Sequence, residues 1–146
     1  MRIIQMSVAV VAGLLAGAAC VAAAAPGAAP NAAPLRPLSE RDQRAAHGSG
    51  CQLSFDNGRS TLVYVLEHEY MIRTGAGRTV CRINDAQFSR LSEGGSMSCG
   101  GYRITIRQTG RTVAHEASDS ASTPATLTVS GRGRPWSVHG SWGSAC

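Results

Sequence analysis

The chain has 146 residues, of which 43% are hydrophobic and 5% aromatic, and its 14 arginines and nine carboxylates give a net charge of +5. It contains no lysine, which excludes a phosphate-loop lysine, a Schiff-base lysine and a serine–lysine dyad. The few aromatic residues are not interleaved with the basic ones, so the sequence also argues against a nucleic-acid-binding surface.

Residues 1–24 have the organisation of a secretory signal peptide. Arg2 gives a positive start, residues 3–15 are mostly apolar, and residues 22–24 offer a small-x-small cleavage site. The apolar stretch is too short to span a bilayer as a stable helix. Cys20 leaves an alternative open, because a cysteine after small residues is also where a bacterial lipoprotein is acylated, and acylation would anchor the protein to a membrane. We expect Cys20 to be removed with the signal and the protein to be exported to the periplasm or the medium.

Residues 25–50 are rich in alanine and proline and then in polar side chains. Four prolines interrupt any regular element, and the stretch has too few apolar side chains to offset the entropy cost of ordering it. The sequence therefore predicts a flexible tether, with one or two helical turns capped by Ser39 as the most that could form. A single domain over residues 51–146 follows it.

Four cysteines lie in this domain: Cys51, Cys81, Cys99 and Cys146. An even number of cysteines behind an export signal is typical of disulfides formed in an oxidising compartment. Four cysteines allow three pairings. We favour Cys51–Cys146, which would tie the ends of the domain together, and Cys81–Cys99, which would close a short loop. On a chain-entropy estimate the two bonds would contribute about 4–5 and about 3 kcal/mol.

The hydrophobic pattern of the domain has a period of two, which predicts antiparallel strands. Asn57-Gly58 is a strong hairpin signal, and apolar and polar residues alternate strictly over 102–107. One helical turn is predicted over 85–91, capped by Asn84 or Asp85. The predicted strands are 51–55, 60–72 with a bulge near 67–69, 78–83, 102–107 paired as a hairpin with 112–117, 125–130 and 136–142. The predicted fold is all-β: a small antiparallel barrel or sandwich of six to eight strands.

Arginine and tryptophan mark the candidate binding surface. Arginine binds carboxylates and phosphates bidentately, and both residue types are enriched in binding hot spots. The alternative is that the tryptophans belong to the core and the arginines form an ordinary solvated surface. The predicted partner is an anionic envelope component or a secreted protein, and a membrane only if Cys20 is lipidated. The candidates are Arg103 and Arg107 on one strand face, Arg132 and Arg134 in a glycine-rich loop, and Trp136 and Trp142.

Catalytic and metal-binding patterns fit this sequence poorly, so we predict neither a metal nor a cofactor. In Glu67-His68-Glu69, strand alternation would place both carboxylates on the face opposite the imidazole. His68 and His115 are the one pair with inward parity on two predicted strands, and together they would supply an acid and a base for a small secreted hydrolase.

Three functional hypotheses follow from the sequence. The main one is a non-catalytic binding or inhibitor-like module, by analogy at the level of fold with small exported bacterial β-barrels that include lysozyme inhibitors. The two others are an envelope lipoprotein anchored through Cys20 and a hydrolase that uses His68 and His115.

Overall fold

The alternating pattern produces a nearly closed antiparallel β-barrel, as predicted, in a computed structural model that describes residues 33–146. The predicted signal peptide and Cys20 lie outside the described residues. The two α-helices of the described residues are α1 (Glu40–Arg44) and α2 (Asp85–Ser92), and a single 3-10 turn spans Glu116–Ser118. The strands are β1 (Gln52–Asp56), β2 (Thr61–Leu66), β3 (Glu69–Thr74), β4 (Gly77–Arg82), β5 (Gly95–Cys99), β6 (Tyr102–Gln108), β7 (Val113–His115), β8 (Ser120–Ser130) and β9 (Trp136–Ala145).

Eight of these strands surround the core in the order β4-β3-β2-β1-β9-β8-β6-β5, and the short β7 pairs with β8. The two ends of this path, β4 and β5, are not hydrogen-bonded partners and so leave a seam in the barrel. Cys81 of β4 and Cys99 of β5 form a disulfide across the seam, with 5.8 Å between their Cα atoms. A covalent bond therefore holds the barrel closed where the backbone ladder is interrupted.

The second disulfide joins Cys51 and Cys146 beside the ladder between β1 and β9. Gln52 and Ala145 are direct partners in that ladder. Cys51 precedes Gln52 and Cys146 follows Ala145, so the two cysteines lie side by side, with 4.1 Å between their Cα atoms. Both disulfide pairings favoured from the sequence are present.

The single strand predicted over residues 60–72 is wrong, because the chain reverses where a bulge was expected. Leu66 and Glu69 are direct partners at the ends of β2 and β3, which leaves only Glu67 and His68 in the turn. Glu67 has a left-handed φ of +48°, and a positive φ suits the two-residue turns that match the twist of a hairpin. The parity that placed His68 on an inner strand face therefore does not apply.

The predicted hairpin between residues 102–107 and 112–117 is also wrong. Strand β6 has the expected alternation, but it pairs with β5 and β8, while β7 pairs with another part of β8. On β8, Ala125 is the last partner of β6 and Ser122 is the first partner of β7. Pro124, which has no N–H to donate, lies where the partner changes. Residues 94–101, for which no strand was predicted, contain β5.

The predicted helical turn forms as α2, and its cap is Asn84. The Asn84 carboxamide accepts a hydrogen bond from the Gln87 amide, and the Gln87 side chain accepts one from the Asn84 amide, both at 2.9 Å. This reciprocal arrangement satisfies two amides that the start of a helix otherwise leaves unpaired.

Residues 33–50 differ from the flexible tether predicted for them, because this segment packs against the outer face of β2 and β3. Leu35 and Leu38 are buried, Leu38 in a cluster with Tyr64 and Met71. The Leu38 amide donates to the Thr61 carbonyl at 2.8 Å. The apolar run 62–66 supplies apolar side chains to both faces of β2, and Leu38 covers the outer one, whereas Leu35 packs into the main core cluster. We call residues 33–47 the strap.

Helix α1 of the strap begins at Ser39, as predicted, in a capping box with Asp42. The Asp42 carboxylate also accepts from the Arg73 guanidinium at 2.8 Å, so a charge on the strap is paired with one on β3. Burial works to raise the pKa of Asp42, but bonds from the Ser39 amide and hydroxyl and the charge of Arg73 together hold that pKa below its usual value.

The inward side chains of all eight barrel strands form one core with the fully buried Phe55 and Tyr70 among them. Gly140 makes room for this packing, because a Cβ built at Gly140 would collide with the Asp56 carbonyl oxygen and would lie 2.9 Å from the Phe55 ring. The outward side chains of β5, β6, β8 and β9 are not part of this core, and they form the solvent-facing surface of these four strands.

Candidate binding surface

The antiparallel topology groups six arginines of the domain at one end of the barrel. The turns after β1, β3, β5 and β8 all lie at one end, which we call the arginine end. The opposite end carries Glu67, Asp85, Glu93, Glu116 and Asp119 together with Arg82, Arg90 and Arg111. The arginines in or next to the turns of the arginine end are Arg59, Arg73, Arg78, Arg103, Arg132 and Arg134.

Two carboxylates lie near the arginine end, and both are engaged. Asp56 accepts a hydrogen bond from the Ser54 hydroxyl at 2.8 Å, and Asp42 pairs with Arg73. Within the described residues, Arg59, Arg103, Arg132 and Arg134 have no carboxylate oxygen within 4.0 Å of a guanidinium nitrogen. Their charges are therefore free to meet an anion from outside.

The loop between β8 and β9 packs on the turn between β5 and β6. The Arg132 guanidinium carbon lies 5.5 Å from the centre of the Tyr102 ring, within cation–π range. Gly131 allows the approach, because a Cβ built there would lie 2.8 Å from the Gly101 carbonyl oxygen, and its φ is +123°. Arg103 is the direct partner of Ser130, the last residue before this loop.

The two predicted tryptophans have different roles. Trp142 is 2% exposed and donates from its indole nitrogen to the Leu91 carbonyl at 2.8 Å. It belongs to the core, so its assignment to the binding surface is wrong. Trp136 is only partly buried and starts β9 opposite Val129, beside the loop that holds Arg132. Among the tryptophans, only Trp136 keeps a surface at the arginine end.

Four of the six predicted residues thus lie in or beside the loop between β8 and β9, and so does one that the sequence reasoning missed. We call Tyr102, Arg103, Arg132, Arg134 and Trp136 the arginine cluster. The alternating pattern of residues 102–107 predicts that Tyr102 faces inward, so the sequence offered no reason to include it in a binding surface. Its contact with Arg132 depends on the pairing of β6 with β8, which no local signal in the chain encodes.

Arg107 lies on the same outward face as Arg103, as predicted, but outside the cluster. Both arginines are exposed and lie on β6, where they are the partners of Thr126 and Ser130 on β8. Four residues of strand separate their Cα atoms by about 13 Å. Arg107 therefore extends the positive surface from the arginine end onto the side of the barrel.

The barrel does not bring His68 and His115 together. His68 contacts Asp85, with 3.7 Å between Nδ1 and Oδ1, whereas His115 shares a hydrogen bond of 3.2 Å with the Ser122 hydroxyl. His68 follows the end of β2, and His115 is the last residue of β7. From β2 to β7 the pairing runs through β1, β9 and β8, which makes four strand spacings of about 4.8 Å each. A shared cleft for acid–base catalysis is therefore not formed.

The carboxylates beside His68 also have other partners. Glu67 accepts from the Ser49 amide at 3.0 Å, and the buried Glu69 accepts from the His47 amide at 3.1 Å. Between residues 33 and 146, no group of three or more histidine, cysteine, aspartate or glutamate side chains is placed to hold a metal ion.

Two hollows of the surface lie away from the arginine cluster. One, of about 260 Å³, lies between α2 and β5, and another, of about 210 Å³, is a serine-rich groove across β1, β9 and β8. The arginine cluster lines neither of these hollows, and exposed arginines of this kind suit a macromolecular partner better than an enclosed small molecule.

Neither helix in the described part of the chain has the length and apolar character needed to cross a bilayer. Comparison with known proteins gives no match: no family model, no curated protein and no solved structure is similar to this chain.

Proposed function

We propose that this protein is an exported, non-catalytic binding module that uses the arginine cluster to bind an anionic group on an envelope component or a secreted protein. The observation that carries the proposal is the packing of Arg132 on Tyr102 next to Arg103, with no carboxylate partner among the described residues. Arginine, tyrosine and tryptophan are the residue types most enriched at interface hot spots.

The cation–π contact supports this role because it orders an arginine before a partner arrives. A long side chain held over an aromatic ring loses less conformational entropy on binding than a free one. Arginine also presents two parallel N–H groups to a carboxylate or a phosphate. Export is supported by the two disulfides, which persist in oxidising compartments.

The test is capture of an envelope or secreted component on immobilised protein, followed by mass spectrometry. The R132Q/R134Q variant should lose most of the captured component, since it removes two positive charges from the cluster. R90Q is the control for loss of an exposed arginine outside the cluster, because Arg90 is exposed on α2. Equal capture by wild type and R132Q/R134Q would refute the proposal.

The mass of intact, non-reduced protein from its native host tests export and anchoring together. We expect a mass that begins near Ala25 and is four hydrogens below the fully reduced value, as two disulfides require. A mass that begins at Cys20 with acyl chains would instead establish an anchored lipoprotein, and an uncleaved chain would contradict export.

A further inference from the structure

The outward side chains of β5 and β6, and those of β8 and β9 that lie alongside β6, form a polar surface that ends at the exposed Pro124 of β8. We call it the hydroxyl face. On the opposite side, the strap covers β2 and β3, but the described residues leave the hydroxyl face uncovered. Its outward side chains are Ser96 and Ser98 of β5, Arg103, Thr105 and Arg107 of β6, Thr126, Thr128 and Ser130 of β8, and Ser137 and His139 of β9.

Four arginines follow the length of β6, from the arginine end to the loop after the strand, and we call them the track. Arg132 lies over Tyr102 at the start of β6, Arg103 and Arg107 point outward from the strand, and Arg111 follows its end. From Arg103 to Arg111 the chain spans at most about 27 Å. In the described chain none of the four has a carboxylate oxygen within 4.0 Å, and none of the ten side chains of the hydroxyl face is acidic.

A row of hydroxyl groups crosses the track between Arg103 and Arg107. Ser96, Thr105, Thr128 and Ser137 are consecutive ladder partners on four neighbouring strands. Their hydroxyls are bonded in two pairs, Ser96 with Thr105 at 2.8 Å and Thr128 with Ser137 at 2.9 Å. Each hydroxyl has one donor and two acceptor sites, so every member of the row keeps capacity for an external hydroxyl group.

The nature of this face restricts the kind of polyanion that fits it. None of its ten side chains is a phenylalanine, tyrosine or tryptophan, and His139 is the one aromatic ring among them, so the face offers little stacking surface for the bases of a nucleic acid. Strand β6 is paired along both edges, with β5 and with β8, so an acidic peptide could not add to it as a further strand. A ligand on this face must be bound through hydroxyl groups and arginines.

We propose that the hydroxyl face binds a linear anionic polysaccharide that runs parallel to β6. Its acidic groups meet Arg132, Arg103, Arg107 and Arg111, and its sugar hydroxyls bond to the row that contains Thr105 and Thr128. This inference rests on the proposed function, because the arginine end forms the first part of the track, and it names the ligand class and extends the site onto the side of the barrel.

The probe is polygalacturonate, a carboxylated glycan, with its methyl-esterified form as the uncharged control, and with poly-glutamate and oligo-dT as other polyanions. We expect polygalacturonate to bind most tightly, with an affinity that falls steeply as salt is added. Absence of binding at low ionic strength, or equal binding of poly-glutamate or oligo-dT, would overturn the inference.

Two variants test the hydroxyl face without changing any residue of the arginine cluster. R107Q/R111Q should weaken polygalacturonate binding about tenfold, while R90Q, which also removes an exposed charge, should stay within about twofold. T105V/T128V keeps the shape of both side chains but removes two hydroxyls, so it should weaken binding of polygalacturonate and leave the weaker binding of poly-glutamate unchanged. Thermal unfolding verifies that each variant is folded.

Failure of this inference is distinguishable from failure of the proposed function. If R132Q/R134Q abolishes capture of a partner but polygalacturonate does not bind, or binds R107Q/R111Q as it binds wild type, the arginine cluster has a function and the track has none. If wild type and R132Q/R134Q capture the same components and no polyanion binds, both are wrong.

Discussion

At the scale of single residues, the barrel interior contains one polar atom for which the described residues provide no partner, the Tyr70 hydroxyl. Tyr70 is fully buried in the main core cluster. Burial raises the pKa of Tyr70 far above its ordinary value, so the phenol stays neutral across the working pH range. The ring of Tyr70 stabilises the core through its apolar surface, while the unpaired hydroxyl opposes that contribution.

We therefore expect Tyr70→Phe to leave the free energy of unfolding unchanged or to raise it by about 1 kcal/mol. Tyr64→Phe is the matched control, because the Tyr64 hydroxyl donates to the Gln52 side chain at 2.5 Å. Loss of that bond should lower the free energy of unfolding by about 0.5–1.5 kcal/mol. Urea denaturation measures both changes, and a larger loss for Tyr70→Phe than for Tyr64→Phe would mean that the Tyr70 hydroxyl is satisfied.

At the scale of elements, local signals predicted some parts of the fold well and others badly. The Asn57-Gly58 turn, the Asn84 cap and the alternation of β6 are encoded within a few residues of chain, and each forms as expected. Strand β6 was paired with the wrong partner, because alternation says which side chains point inward but not which strand lies alongside. The strap was missed because composition describes a segment alone, whereas its order comes from the apolar outer face of β2 and β3.

The ion pair between the strap and β3 predicts an acid-sensitive contribution to stability. The folded-state pKa of Asp42 lies below its ordinary value, so its contribution is complete above the aspartate pKa of the unfolded chain and is lost as the pH falls through the lowered pKa. Asp42→Asn should therefore lower the free energy of unfolding by about 1 kcal/mol at neutral pH, and the difference from wild type should shrink in acid.

Urea denaturation of wild type and Asp42→Asn, carried from neutral pH into acid, measures how the difference in their free energies of unfolding changes with pH. Glu93→Gln is the control, since Glu93 is exposed and its replacement should not reproduce this pH dependence. A difference between wild type and Asp42→Asn that stays constant with pH would exclude the Asp42 charge as its cause.

At the scale of the whole molecule, the topology decides where covalent bonds and charges act. The Cys51–Cys146 bond lies beside a ladder that already joins β1 and β9, whereas the Cys81–Cys99 bond crosses the seam between β4 and β5. Topology also collects the turns of separate hairpins at one end, so a chain of modest net charge presents a concentrated positive surface. The candidate arginines could be chosen from the sequence, but their grouping around Tyr102 could not, because it depends on pairing between distant parts of the chain.

Removing each disulfide should have a different local consequence. The C81S/C99S variant should lose amide protection from hydrogen exchange in β4 and β5 and about 3 kcal/mol of stability. The C51S/C146S variant should retain protection in β1 and β9, because their backbone hydrogen bonds remain. Hydrogen exchange read by mass spectrometry on folded protein makes the comparison. Equal loss of protection at the two sites would show that the disulfide across the seam has no special role.

The sequence by itself determined the all-β class, the disulfide-rich character of the domain, the helix caps and the residue types available for binding, because each depends on composition or on neighbours within a few positions. Only the tertiary structure decided that Trp142 is buried, that His68 and His115 lie apart and that the strap is ordered. It alone brought Arg103 and Arg132 together. The physical reason is that strand pairing and burial are long-range properties: a side chain's partners come from whichever strands the barrel places beside it.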